Sequence, residues 1–192
     1  MLVLECPRLP EEQTKAIIAQ YLPKHADASH WTKWCDGIPR VAHAVGENLQ
    51  RNPGDLLKPP ATVPLWERFV AGYEEMDSKN AQDALVILRH VALFTRFGFE
   101  EPVSSEAKFI ATLVQAVDPS ITWARFQEIV ERLRNRRILQ GKRTLFIVPK
   151  ALHIHLWIGY WNAYGRGFDF QTFFDKVPAQ LQHWFLQLFI YG

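Results

Sequence analysis

The 192-residue chain has only two cysteines, Cys6 and Cys35, and they form neither a CxxC pair nor part of a metal-ligand set. This predicts a reducing compartment and inert thiols. There is no run of 18 uninterrupted apolar residues and no basic segment leading into a long apolar stretch near Met1, which argues against a membrane span and a secretory leader. Excess charge is also missing. A net charge of +2 generates no global field toward nucleic acid or membrane, so any such affinity must come from a local patch. No GxxxxGK[ST] loop cradles phosphates, no strand ends in acids that would hold magnesium, and no Ser-His-Asp or Cys-His arrangement stands out. No internal repeat or low-complexity tract appears. These absences predict a cytoplasmic chain with no catalytic site of its own.

What is present is an ordinary globular composition, 48% hydrophobic and 22% charged, of a size for one domain or two small ones. One skew stands out: 13 of the 25 aromatic residues follow Leu145. That is more than a small lobe would ordinarily bury alone. The aromatics either fill a core or present an apolar surface to a partner.

The expected fold is mainly α. Leu2-Val3-Leu4 reads as a strand or strand remnant. Pro10-Glu11-Glu12 opens a helix to about Leu22, because proline and acids suit a first turn and Pro23 ends it. A short helix over Ala28 to Cys35 follows, then one from Ile38 or Pro39 to Leu49. Residues 1–52 form a helical lobe, and the proline-rich 53–64 reads as a linker. The second lobe, 65–165, begins with a helix near Leu65 to Glu75. A stripe from Ala81 to Phe97 stops at Gly98. Ser104 or Ser105 caps the next helix, and Thr122 starts a third. Two β-like runs, Arg137–Leu139 and Thr144–Val148, then flank Gly141 as a hairpin. Three helices followed by a hairpin is the winged-helix order. Helical spacing continues through the aromatic segment 166–192, with a break near Gly165-Arg166-Gly167.

The stretch "DGIPRVAHAVGENL" needs no special purpose locally, since Gly37 allows a tight turn and Pro39 suits a first helical position. Together with "VILRHVALFTRFGF", "FQEIVERLRNRRIL" and "TLFIVPKALHIHLW", in that order, it resembles the C-terminal half of the nucleotide-binding module of STAND NTPases. These are signalling ATPases of the AAA+ group, and in them a helical lid precedes a winged helix. The resemblance implies a nucleotide-sensing piece of a larger ATPase, coupling ADP or ATP to oligomerisation and signalling, with bacterial defence among the settings. It implies that Pro39 packs on the adenine with Gly37 allowing close approach, that Arg40 faces the phosphates, and that His153 contacts the β-phosphate of ADP. Ile154 stands where the family usually has an aspartate after that histidine. The partners it implies are an ATPase core and a C-terminal sensor region, both outside this sequence, with homo-oligomers formed by the parent protein. On the residues alone, Arg40 reads as a solvated first-turn side chain, and His153 and His155 each as a satisfied histidine on the helix surface. His155, two residues on, points away from His153, so the two form no metal site.

Two other functions remain open: a DNA-binding winged-helix regulator and a helical protein-interaction domain. Arg132, Arg134, Arg136, Arg137, Lys142 and Arg143 put six cations, with no acid between them, at the end of the third helix and in the wing, a footprint suited to phosphates. Arg125, Gln127 and Glu128 are candidate base readers, whereas Glu131 repels phosphate. Binding to DNA is therefore expected to be weak and non-specific.

Overall fold

The computed structural model describes residues 8–24, 26–60 and 64–191. The expected strand at Leu2–Leu4 and Cys6 lie outside them. The chain divides into two compact units, residues 1–69 and 70–192.

In the first unit, α1 (Glu11–Ala19) begins after Pro10 with two acids in its first turn, where the helix dipole favours negative charge. It is shorter than the sequence suggests, because the chain turns at Gln20 to Leu22 ahead of Pro23. The short α2 (Ser29–Trp34) leads into α3 (Pro39–Arg51), which has proline in its first turn. Val41, Ala42, Val45 and Leu49 of α3 are buried, the period expected of a helix with one covered face. Gly46 on that face lies against the Tyr21 ring, so close that a Cβ would collide with it. Trp31 is fully buried, and Trp34 meets Trp66 with ring centroids 5.5 Å apart.

The proline-rich segment starts as a 3-10 turn, Pro53–Leu57, rather than as open chain. Its Asp55 is only 3% exposed and is held by Lys58 at 2.7 Å and by the Arg68 guanidinium. Burial alone would raise the Asp55 carboxyl, but the two cations outweigh it and hold it below the usual carboxylate range. Arg68, on α4 (Leu65–Ala71), also donates to Asn48 Oδ1 at 3.1 Å. A polar knot thus ties this segment to α3 and α4.

In the second unit, α5 (Lys79–Val91) is capped by Ser78, whose hydroxyl accepts from the Ala81 N–H at 3.2 Å. The sequence stripe ran on to Phe97, but the helix stops at Val91 and Phe97–Gly98 forms a strand, β1. Helices α6 (Ser105–Val117) and α7 (Trp123–Asn135) follow, the latter capped by Thr122, which accepts from the Arg125 N–H at 3.3 Å. Strands β2 (Leu139–Gly141) and β3 (Thr144–Ile147) complete an antiparallel sheet of order β1-β3-β2. This is a winged-helix arrangement: three helices and a hairpin, with a short strand from between the first two helices paired to the hairpin. Leu88, Phe94, Ile110, Phe126, Ile129, Leu133 and Leu145 are fully enclosed in its core.

Three further helices close the unit: α8 (Lys150–Tyr164), α9 (Phe170–Lys176) and α10 (Ala179–Tyr191). The expected break at residues 165–167 is present, and a second falls at Val177–Pro178, which the sequence reading passed over. Many of the late aromatics pack inside this unit. Phe94 meets Phe173 and Phe185 at 6.4 and 6.2 Å between centroids, and Phe173 and Phe185 lie 5.1 Å apart. Among the described residues no helix is long and apolar enough to cross a membrane.

Candidate functional site

The corner before α3 is built from two consecutive left-handed residues, Asp36 (φ 49°) and Gly37 (φ 66°). The Leu9 N–H donates to the Gly37 carbonyl at 2.8 Å, and a Cβ on Gly37 would lie 2.6 Å from the Leu9 carbonyl oxygen. Both the positive φ and this close approach require glycine. Ile38 is extended, and Pro39 then starts the helix without losing a hydrogen bond, since a first-turn N–H has no intrahelical acceptor. Gly37, Ile38, Pro39 and Arg40 are all half-buried, so this edge stays accessible. The Arg40 guanidinium lies over the Phe69 ring, 5.7 Å from its centroid, which places it against an aromatic face instead of free in solvent.

His153 sits on α8 in the second unit and is 9% exposed, buried where a surface position was expected. Its Nε2 lies 3.0 Å from the carbonyl oxygen of Ala92, the residue that caps the C-terminus of α5. Only a protonated nitrogen can donate to a carbonyl, so Nε2 carries the proton and satisfies one of the acceptors left over at a helix end. Burial lowers the His153 pKa; the Ala92 carbonyl opposes that and Lys150 adds to it. The ring is thus neutral at pH 7. The nitrogen that would reach a phosphate by donation is already engaged, and the other is an acceptor. His155 is half-buried on the same helix. Among the described residues no group of three His, Cys, Asp or Glu side chains is placed to hold a metal. Cys35 is buried, and burial pushes its thiol up to about 12, far from a reactive thiolate.

The six cations of the basic run separate into two groups. Arg132 pairs with Glu74 at 2.9 Å and donates to the Asn80 carbonyl at 3.1 Å. Arg134 pairs with Glu100 and Glu131, both at 2.9 Å, and lies over the Phe99 ring. Arg136 donates to the Val70 carbonyl oxygen. Arg137, Lys142 and Arg143 are exposed on the hairpin and its approach, and their side chains make no ion pair among the described residues. Arg125, the candidate base reader, is bound by Asp83 at 2.9 Å and Glu128 at 3.0 Å and is held by Asn80. Gln127, Glu128 and Glu131 are left on the outer face of α7. Beside the hairpin, Glu131, Arg134, Asn135, Arg137 and Gln140 line an open depression of about 570 Å³.

Sequence reasoning missed Phe146, a 40%-exposed aromatic on the wing. The signal was present in the alternation of β3, where Leu145 and Ile147 are buried and Phe146 points the other way. It also missed the acceptors Asp83 and Glu74, which have no local signature. No protein-family model, curated protein or solved structure matches the chain.

Proposed function

We propose that this chain is a non-catalytic, regulatory portion of a STAND-type signalling NTPase, a helical lid-like unit followed by a winged helix that reads nucleotide state through protein contacts. The observation that carries this reading is the engagement of the third helix. In a winged helix that reads DNA, that helix offers cations to phosphates and side chains to base edges. Here Arg125, Arg132 and Arg134 are turned onto Asp83, Glu74, Glu100 and Glu131, and the outward face carries Glu128 and Glu131. A duplex laid along α7 would meet carboxylates. Such a winged helix is suited to a structural role between protein parts.

The accessible Gly37–Arg40 edge supports the nucleotide half of the reading. Its backbone is held in a fixed corner, and Pro39 presents a rigid apolar ring of the kind that packs on a base. The parent protein would supply the phosphate-binding loop and metal-binding acids in its ATPase core, with ADP or ATP as the bound nucleotide. His153 would act in this scheme by fixing α8 to the end of α5 rather than by donating to phosphate.

Photo-crosslinking of the full-length native protein with 8-azido-ADP tests the proposal. Label is expected on the peptide containing Gly37 to Arg40, and excess ADP should compete it away. Nucleotide-dependent labelling confined to peptides outside this chain would overturn it.

A further inference from the structure

On the wing, charge, an aromatic face and a concave surface come together. In the β2–β3 ladder Gln140 is paired with Phe146, so both side chains lie on the same face of the hairpin. That face is turned outward, because Leu139, Leu145 and Ile147 take the core side. Gln140 also lines the depression beside α7, together with Arg137 and Asn135. Lys142 and Arg143 sit at the hairpin tip between Gly141 and Thr144. Within ten residues the wing thus offers three cations without ion pairs, one exposed phenyl ring and polar side chains at the rim of a concave surface.

We infer that this wing surface, comprising Arg137, Gln140, Lys142, Arg143 and Phe146, is a weak, sequence-tolerant binding site for single-stranded nucleic acid. The cations meet backbone phosphates, and the phenyl face stacks on an unpaired base. Stacking of this kind is indifferent to sequence, because every base has a π-face. The preference for a single strand over a duplex follows from two features of the same region. A paired base keeps its faces covered by its neighbours, so Phe146 has nothing to stack on. The rigid width of a duplex would carry it onto α7, where Glu128 and Glu131 are exposed; a single strand can follow the hairpin and avoid them. Glu131 lines the depression, and Glu100 donates its backbone N–H to the Arg143 carbonyl, so both acids lie beside the site. Both are bound to Arg134, which reduces their repulsion of phosphate without abolishing it. Four cations, Arg134 included, against two carboxylates leave a modest attraction, so binding depends strongly on salt.

The test is fluorescence anisotropy with a labelled oligo-dT of about 12 nucleotides, within the usual span for such sites, and with a duplex of the same length. Three neutralised phosphates on a single strand give a log–log salt slope of about −2, so affinity should fall roughly 15- to 20-fold from 50 to 200 mM salt. Phe146→Leu keeps the apolar bulk and removes the aromatic face. It should weaken oligo-dT binding about five-fold or more at an unchanged salt slope. Arg137→Asn/Lys142→Ala/Arg143→Ala should flatten the slope toward zero. All three cations lie at the surface and asparagine suits the left-handed backbone at 137, so the triple variant remains folded by circular dichroism. The proposal is overturned if oligo-dT is not bound at 50 mM salt, if duplex binds as tightly as single strand, or if neither variant changes binding. None of these results bears on nucleotide labelling at Gly37 to Arg40.

Discussion

The third helix and the wing share one stretch of sequence, and the acid-free run spans both, yet the structure uses their cations in opposite ways. On α7, Arg125 and Arg132 are drawn onto Asp83, Glu74 and the Asn80 carbonyl, which fixes the helix to α5 and the segment before it. On the wing, Arg137, Lys142 and Arg143 face solvent. A basic cluster in sequence is therefore no measure of a basic surface. What decides is whether carboxylates arrive from elsewhere in the chain, because a guanidinium already paired with a carboxylate has little left to give a phosphate. The comparison separates residues that hold the fold from residues available for binding, and it can be tested on each side.

The largest effect should come from removing the acceptor at the centre of the tied region. Asp83 is 2% exposed and binds both Arg125 and Lys79, the latter at 3.0 Å. Asp83→Ala leaves a partly buried guanidinium facing a carboxyl-sized hole. Breaking a buried pair costs about 3–5 kcal/mol; the lower end applies here, because Arg125 keeps Glu128 and Asn80. Urea unfolding should show a loss of about 3 kcal/mol. A loss under 1 kcal/mol would mean that the arginines of α7 are not structural, and the contrast with the wing would collapse.

A pH titration sharpens the contrast from another side. His90 on α5 is buried with its Nδ1 at 2.8 Å from the Val86 carbonyl, and it packs against Tyr160 and Tyr164 with ring centroids at 5.2 and 5.1 Å. Burial lowers its pKa to about 4, with the Val86 carbonyl opposing and Arg89 assisting. The unfolded chain takes up this proton near pH 6.5 while the folded one resists to about 4. Stability contributed by neutral His90 is thus complete above pH 6.5 and is lost as pH falls from 6.5 toward 4. A gap of that size corresponds to roughly 3 kcal/mol. The wing, residues 137–149, contains no histidine. Urea midpoints measured from pH 7.5 to 4.5 should fall steadily, and His90→Gln should make the fall shallower, leaving the part that buried His153 contributes in the same direction. A flat profile for the unsubstituted chain would show that His90 is accessible to protons.

Much of the fold was legible in the sequence. Apolar spacing located α3, α6 and α7, Thr122 marked a real cap, and Gly141 marked the hairpin. Strand β1 was not legible, because two residues have no alternation to read, and Phe97 is a strand residue only by pairing with Leu145. At the candidate site, the Gly37–Pro39 corner was visible because a turn needs its own residue types. The engagement of Arg132 was invisible, since Glu74 lies 58 positions away and nothing local announces it. Burial of His153 was missed for the same reason: its partner is the carbonyl of a residue 61 positions earlier.

Arg134 is the intermediate case. It stands at the edge of the tied region, bound to two glutamates and lying over Phe99, with its side chain 23% exposed. Partly exposed pairs are worth less than buried ones, but the stem and the ring contact add packing. Arg134→Ala should cost about 1 kcal/mol by urea unfolding. It should also raise the negative potential beside the wing by releasing Glu100 and Glu131. A cost near 3 kcal/mol would move Arg134 into the structural group with Arg125.

The smallest stability effect should be at the wing itself, and there a null result is informative. Arg137, Lys142 and Arg143 make no ion pair among the described residues, and surface substitutions away from such features change stability by about 0.5 kcal/mol or less. Arg137 needs care, because its backbone is left-handed at φ 57°, a conformation that suits asparagine better than alanine. Arg137→Asn paired with Lys142→Ala and Arg143→Ala should therefore leave the urea midpoint within error of the unsubstituted chain, or slightly raise it, since removing three like charges from one hairpin relieves repulsion. If these substitutions instead destabilise the protein by more than 1 kcal/mol, the wing cations are engaged in folding as those of α7 are. The distinction between a tied helix and a free wing would then disappear, and with it the reason to look for a ligand there.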